Sequence, residues 1–171
     1  LLGASQLEAS NCYIDGDPVA SKRGLYYKSA ALGAGTRVLH HNWSNIFVDG
    51  VENDVLVAEA IERATFNGVS CSASGGTSGA GFRAQAGTNI VLNGFVGYNH
   101  NATTASHIEI CGTAADVSID NFHLSGTAHN GIHVFEDAGP VTIGSGFIRS
   151  VNNIPVLLAS TTRNYQISGP I

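Results

Sequence analysis

The stretch Ile132-His133-Val134-Phe135-Glu136-Asp137-Ala138-Gly139-Pro140-Val141-Thr142-Ile143-Gly144-Ser145-Gly146-Phe147-Ile148 decides the fold. Ile132 and Val134 alternate with His133 and Phe135, Asp137 to Gly139 turn the chain, Val141 to Ile143 alternate again, and Gly144 to Gly146 bend it into a third short run. Alternation with a period of two, broken by Gly, Asn, Asp, Ser and Thr, is a strand signal. No amphipathic helix is found. The nearest candidate, Val55 to Ala64, keeps the phase of a strand.

Outward from this copy, the first strand recurs as an apolar pair at Leu25/Tyr27, Val55/Val57, Phe82/Ala84, Ile108/Ile110, Ile132/Val134 and Val156/Leu158, in steps of 30, 27, 26, 24 and 24 residues. A fixed period of this size means stacked coils, each burying its apolar face against its neighbours. The bend before the third strand recurs too. It carries Asn11, Asn45, Gly68, Gly94, Asn121 and Gly146, and Asn and Gly enter the left-handed region at least cost, so the column reads as one bend of fixed hand per coil.

The expected fold is therefore all-β: a parallel β-solenoid of about six and a half coils with three short strands per coil, forming a single domain over 1–171. Stacked inward rows are expected to include Val117, Ile119, Phe122, Leu124, Ile132 and Val134. A hydrophobic content of 43% with 12% charged residues suits such a buried structure. The net charge of −5 contains no basic cluster, which argues against nucleic acid, and no apolar run reaches membrane-spanning length.

Three cysteines argue against a disulfide framework. Cys12 and Cys71 read as buried members of one inward column two coils apart, and Cys111 as outward. The seven His residues show no metal-binding spacing, so no metal or other cofactor is expected. The chain has no Met, and the repeat runs to both ends without the polar caps that terminal coils need; the expectation is a fragment, a processed product or a module capped by another domain.

Three parallel strands per coil, with an Asn or Gly bend between the second and third, resemble the right-handed single-stranded parallel β-helix of the pectate-lyase-like superfamily over nearly the whole chain. The resemblance implies a groove floored by the outward residues of the first strands and walled by the loops from third strand to next first strand. Those loops span 15–24, 49–54, 72–81, 98–107, 125–131 and 150–154. Such a groove suits an extended glycan. The paired Asp and Gly-His-Gly motifs of polygalacturonases are absent, as is the Arg-Lys arrangement of a calcium pectate lyase, so the fold does not bring those activities with it.

The floor reads as Tyr26, Leu56, Arg83, Glu109, His133 and Leu157, with Lys28, Ala58, Gln85, Cys111, Phe135 and Ala159 two residues on. Equivalent residues on adjacent coils lie about 4.8 Å apart, so Arg83, Glu109 and His133 should touch. As chemistry, Glu109 and His133 would serve as general acid and base, with Arg83, Tyr26, Lys28, Phe135 and Glu136 binding substrate and Arg83 suited to an acidic sugar. As structure, the same three are a charge ladder on a sheet face. Asp49, Glu52 and Asp54 form an acidic wall loop.

The outward third-strand residues read as Tyr13, Phe47, Ser70, Val96, His123 and Ile148, an apolar flank of the kind that another chain covers. Polar coils, few Lys, missing caps and this flank resemble bacteriophage tailspikes, trimers of the β-helix fold that bind and often cleave bacterial surface polysaccharide. That resemblance implies a polysaccharide partner, a homotrimer and a place on the virion tail or outside the cell. A free polysaccharide lyase or hydrolase, and a structural shaft or adhesin without catalysis, are the rival readings.

Overall fold

The computed structural model describes residues 7–15, 25–28, 41–49, 56–59, 61–72, 79–98, 103–159 and 165–171. Their regular structure is entirely β: β1 (Leu7–Asp15), β2 (Leu25–Lys28), β3 (His41–Asp49), β4 (Leu56–Glu59), β5 (Ile61–Ser72), β6 (Phe82–Asn93), β7 (Val96–Tyr98), β8 (Ile108–Asp120), β9 (Phe122–Ser125), β10 (Ile132–Val134), β11 (Val141–Ile143), β12 (Gly146–Arg149), β13 (Val156–Leu158) and β14 (Tyr165–Ile167). All pairing is parallel. The molecule is a parallel β-solenoid.

Three ladders run along it. The first joins β2, β4, β6, β8, β10 and β13. The second joins the early part of β1 and β3, the middle of β5, the late part of β6 and β8, then β11 and β14. The third joins the ends of β1, β3 and β5 to β7, β9 and β12. About four coils are described through all three of their strands, over 56–72, 82–98, 108–125 and 132–149, with part-coils on either side. The six and a half coils of the period are thus seen as about four complete turns.

Alternation explains the core. Val117, Ile119, Phe122, Leu124, Ile132 and Val134 are all buried, as the period requires. Bulky rings pack the core between and within coils: Phe66 meets Phe82 of the next coil edge-on at 5.3 Å, and Phe82 meets Phe95 of its own coil at 6.2 Å. Each such pair contributes roughly 0.5–1.5 kcal/mol beyond its buried area. Where Gly97 leaves a gap, the side chain of buried His107 fills it: a Cβ on Gly97 would lie 2.8 Å from the His107 Nδ1.

The left-handed column holds at Asn11, Asn45, Gly68, Gly94 and Asn121, with φ between 52° and 68°. Its side chains form an amide ladder. Asn45 Nδ2 donates to Asn11 Oδ1 at 3.2 Å and Asn121 Nδ2 donates to Asn93 Oδ1 at 2.8 Å. Where the bend is Gly68 or Gly94, the amide sits one residue earlier, and Asn93 Nδ2 donates to Asn67 Oδ1 at 3.2 Å. Asn67, Asn93 and Asn121 thereby form one hydrogen-bonded run that returns to the column of the bend at Asn121.

The sixth copy departs from the expectation: Gly146 is not in the left-handed region. The extra residue in that bend puts Gly146 in register with Phe122 and Phe147 with His123. Phe147 therefore points outward and is exposed, while Ile148 packs against the core, the reverse of the sequence reading. Arg149 is exposed, with its guanidinium 5.5 Å from the centre of the Phe147 ring. In place of a left-handed Asn, the Ser145 amide and hydroxyl both donate to Asp120 Oδ1, at 2.7 and 2.9 Å.

A second left-handed column, unread in the sequence, turns first strand into second at Arg63, Asn89 and Asp116, with φ of 59°, 56° and 52°. Register aligns the three, and the next coil continues with Pro140. An Arg among them hides the column from a search for Asn and Gly.

Two more readings are corrected. In the second coil Leu56 pairs with Leu25 and Phe82, and Ala58 with Tyr27 and Ala84, so the inward pair is Leu56/Ala58 and not Val55/Val57. Ala58 is fully buried. The run Val55-Leu56-Val57-Ala58 is apolar throughout and carries no alternation to set its phase. Cys12 is exposed and aligns with Ile46, whereas Cys71 is buried and aligns with Val48, so the two occupy different columns. Burial raises the Cys71 thiol well above its ordinary pKa.

Candidate functional site

The corrected floor runs Tyr26, Val57, Arg83, Glu109, His133 and Leu157, set by backbone register coil by coil. Tyr26 and Lys28 lie in β2, with Lys28 in register with Glu59, where Ala58 was expected. Arg83, Glu109 and His133 occupy three successive coils, as their spacing requires.

Arg83 and Glu109 meet. The Arg83 Nε and Nη2 both donate to Glu109 Oε2, at 3.0 and 2.8 Å. The other carboxylate oxygen, Oε1, accepts the Ser106 backbone N–H at 3.0 Å. Glu109 is only 5% exposed, against the expectation of an open floor carboxylate. Charge-assisted bonds to both oxygens compensate a buried carboxylate for lost water.

Glu109 rests on a polar support that the sequence reading missed. Buried Asn130 donates from Nδ2 to Ser106 Oγ at 3.2 Å, and its Oδ1 accepts from Asn153 Nδ2 at 3.1 Å and from the Ile154 N–H at 3.3 Å. Ser106 and Asn130 each stand two residues before a first strand, at Ile108 and Ile132, so the same phase that finds the strands locates this row. The main chain stacks here as well: His107 N donates to the Asn130 carbonyl at 3.1 Å and Gly131 N to that of Ile154 at 3.1 Å. The walls at 105–107, 128–131 and 152–155 thereby continue the solenoid's own stacking.

His133 is half-buried, and its ring stacks on Phe135 with centroids 3.7 Å apart and planes 24° apart. Burial holds its pKa below the ordinary 6.5; Glu109 opposes this and His129 adds to it. The imidazole is thus neutral at pH 7 and able to accept a proton. Glu136 and Asp137 are exposed in the turn after β10.

Cys111 lies two residues beyond Glu109 and is partly exposed. Among the described residues no group of three or more His, Cys, Asp or Glu could hold a metal ion. Asp49 ends β3 in register with Asp15; its expected companions Glu52 and Asp54 lie outside the described residues, as do 73–78 and 99–102 of the expected walls.

The third-strand flank carries its own aromatic column. Tyr13 stacks on Phe47 at 5.1 Å with planes 8° apart, and Tyr98 approaches Phe47 at 6.3 Å. Desolvation, then Asp15, Asp49 and Tyr98, raise the Tyr13 hydroxyl above its ordinary pKa. Further along, His123 meets Phe147 edge-on at 5.3 Å.

Comparison with protein-family models, curated proteins and solved structures gives no match.

Proposed function

We propose that this solenoid binds an extended cell-surface polysaccharide along the first-strand floor, as a segment of a phage tailspike or related surface appendage of the pectate-lyase-like kind. The observation that carries the reading is the row Arg83, Glu109, His133, one residue per coil, with Phe135 stacked on His133. Side chains repeating at strand spacing match a ligand that is itself a linear repeat. An aromatic ring beside hydrogen-bonding groups suits the apolar face and hydroxyls of a sugar.

Glu109 and His133 are the candidate acid and base of cleavage. A neutral His133 suits the base. The acid role is the less favoured half, because both Glu109 oxygens accept hydrogen bonds and the carboxylate acts on Arg83 as a positioning group. Titration of the chain with bacterial surface polysaccharides, followed by calorimetry and reducing-end release, tests both parts. Binding that weakens in Phe135→Ala supports the floor; cleavage lost in Glu109→Gln assigns the acid, and release that persists in that variant moves the chemistry elsewhere.

The exposed rings of Tyr13 and Phe147, with half-buried Phe47 stacked on Tyr13, support a homotrimer with that face covered. A monomeric mass by light scattering would count against the appendage.

A further inference from the structure

We infer, resting on the glycan reading above, that the floor selects electrically neutral sugars and rejects uronic and sialic acids, because the Arg83 guanidinium at its centre is matched with the Glu109 carboxylate one coil on. The sequence alone made Arg83 a candidate for an acidic sugar. In the folded chain the Nε and Nη2 of that guanidinium are committed to Glu109 Oε2 at 3.0 and 2.8 Å. Glu109 cannot yield its place, since it is 5% exposed and its second oxygen is held by the Ser106 N–H at 3.0 Å. Drawing Arg83 away toward a substrate carboxylate would leave a buried, uncompensated charge, so the incoming anion competes against a fixed one.

The other floor cation, Lys28, lies in register with Glu59. The exposed Glu136 and Asp137 add negative charge in the turn that follows Phe135. Burial keeps His133 uncharged at neutral pH. A net charge of −5 over the chain repels polyanions at longer range. What the floor still offers is the exposed amide of Gln85, the His133 imidazole and the Phe135 ring, a set matched to hydroxyls and the CH face of a pyranose.

The test uses the full chain and two probes that differ only at C6: galactose oligomers and galacturonate oligomers of equal length and linkage, with glucose and N-acetylglucosamine oligomers as further neutral probes. Calorimetry should show at least one neutral series binding about tenfold or more tighter than galacturonate. Glu109→Gln, which releases the Arg83 charge, should raise galacturonate affinity by about tenfold. Should that variant fail to fold, Glu136→Lys places an unpaired cation in an exposed turn and should produce the same gain. Galacturonate bound as tightly as the neutral oligomers by the parent overturns this inference and leaves the glycan reading standing. Binding of none of these probes overturns both.

Discussion

The ring of Phe122 fills the space that a side chain at position 146 would occupy. A Cβ built on Gly146 falls on the Phe122 ring, and the two residues are in register on adjacent coils. Phe122 is 2% exposed, so Phe122→Ala should cost about 3–5 kcal/mol. Gly146→Ala should cost about 1–3 kcal/mol by overpacking. Because one volume serves both positions, Phe122→Leu combined with Gly146→Ala should cost less than the sum of the two single changes, as read by urea denaturation.

At Asn121 the usual stability order of Ala over Gly should reverse. Its φ of 52° strains any residue with a Cβ, by roughly 1–2 kcal/mol. Its Nδ2 also donates to Asn93 Oδ1 at 2.8 Å, worth about 1 kcal/mol. The Asn121 Oδ1 also accepts from the Ser145 hydroxyl at 3.3 Å; Asn121→Gly loses these side-chain hydrogen bonds alone, whereas Asn121→Ala loses them and keeps strain that no amide offsets. Thermal unfolding of the two variants should rank Gly above Ala.

Asp120 makes the fold acid-sensitive. The Ser145 hydroxyl, then the Ser145 and Asn121 amides, hold its carboxyl below the ordinary 3.8. A depressed folded value means that the unfolded chain takes up the proton first. The contribution is present above the unfolded value and is lost as pH falls through the folded one. Denaturation midpoints measured from pH 5 downward should therefore fall less steeply in Asp120→Asn than in the parent.

His133 should act in a higher window. Its folded pKa lies below 6.5 through burial, so the unfolded chain again binds the proton first, and stability drops as pH falls from above 6.5 to below the folded value. His133→Gln should flatten that slope. An NMR titration of the His133 ring should give a midpoint below 6.5; a midpoint above it would mean that the Glu109 attraction outweighs burial.

The parts of the fold legible in the sequence are those where one face is apolar and the other polar. Ile108-Glu109-Ile110 and Ile132-His133-Val134 set their own phase, and the floor row Arg83, Glu109, His133 follows from them. Leu56 was misplaced because its neighbours are as apolar as it is. Phe147 and Ile148 were exchanged because two adjacent apolar residues after a bend of uncertain length fit either face. The burial of Glu109 does not follow from strand alternation, since it involves Ser106, three residues earlier on the same coil, and Asn130, which bonds to Ser106 from the next coil.

The stacking of walls as well as strands has one more consequence. Ile132 and Val156 are equivalent, and the main chain before them is equivalent too, with Gly131 N bonded to the Ile154 carbonyl and Ile132 N to that of Pro155. The coil is therefore a unit of length: excising one between equivalent points would rejoin matching backbone and shorten the molecule by about 4.8 Å. Duplicating one would add another residue to the floor. The solenoid is a ruler whose graduations are coils, and its reach along a ligand can change in whole steps while the geometry of each step stays the same.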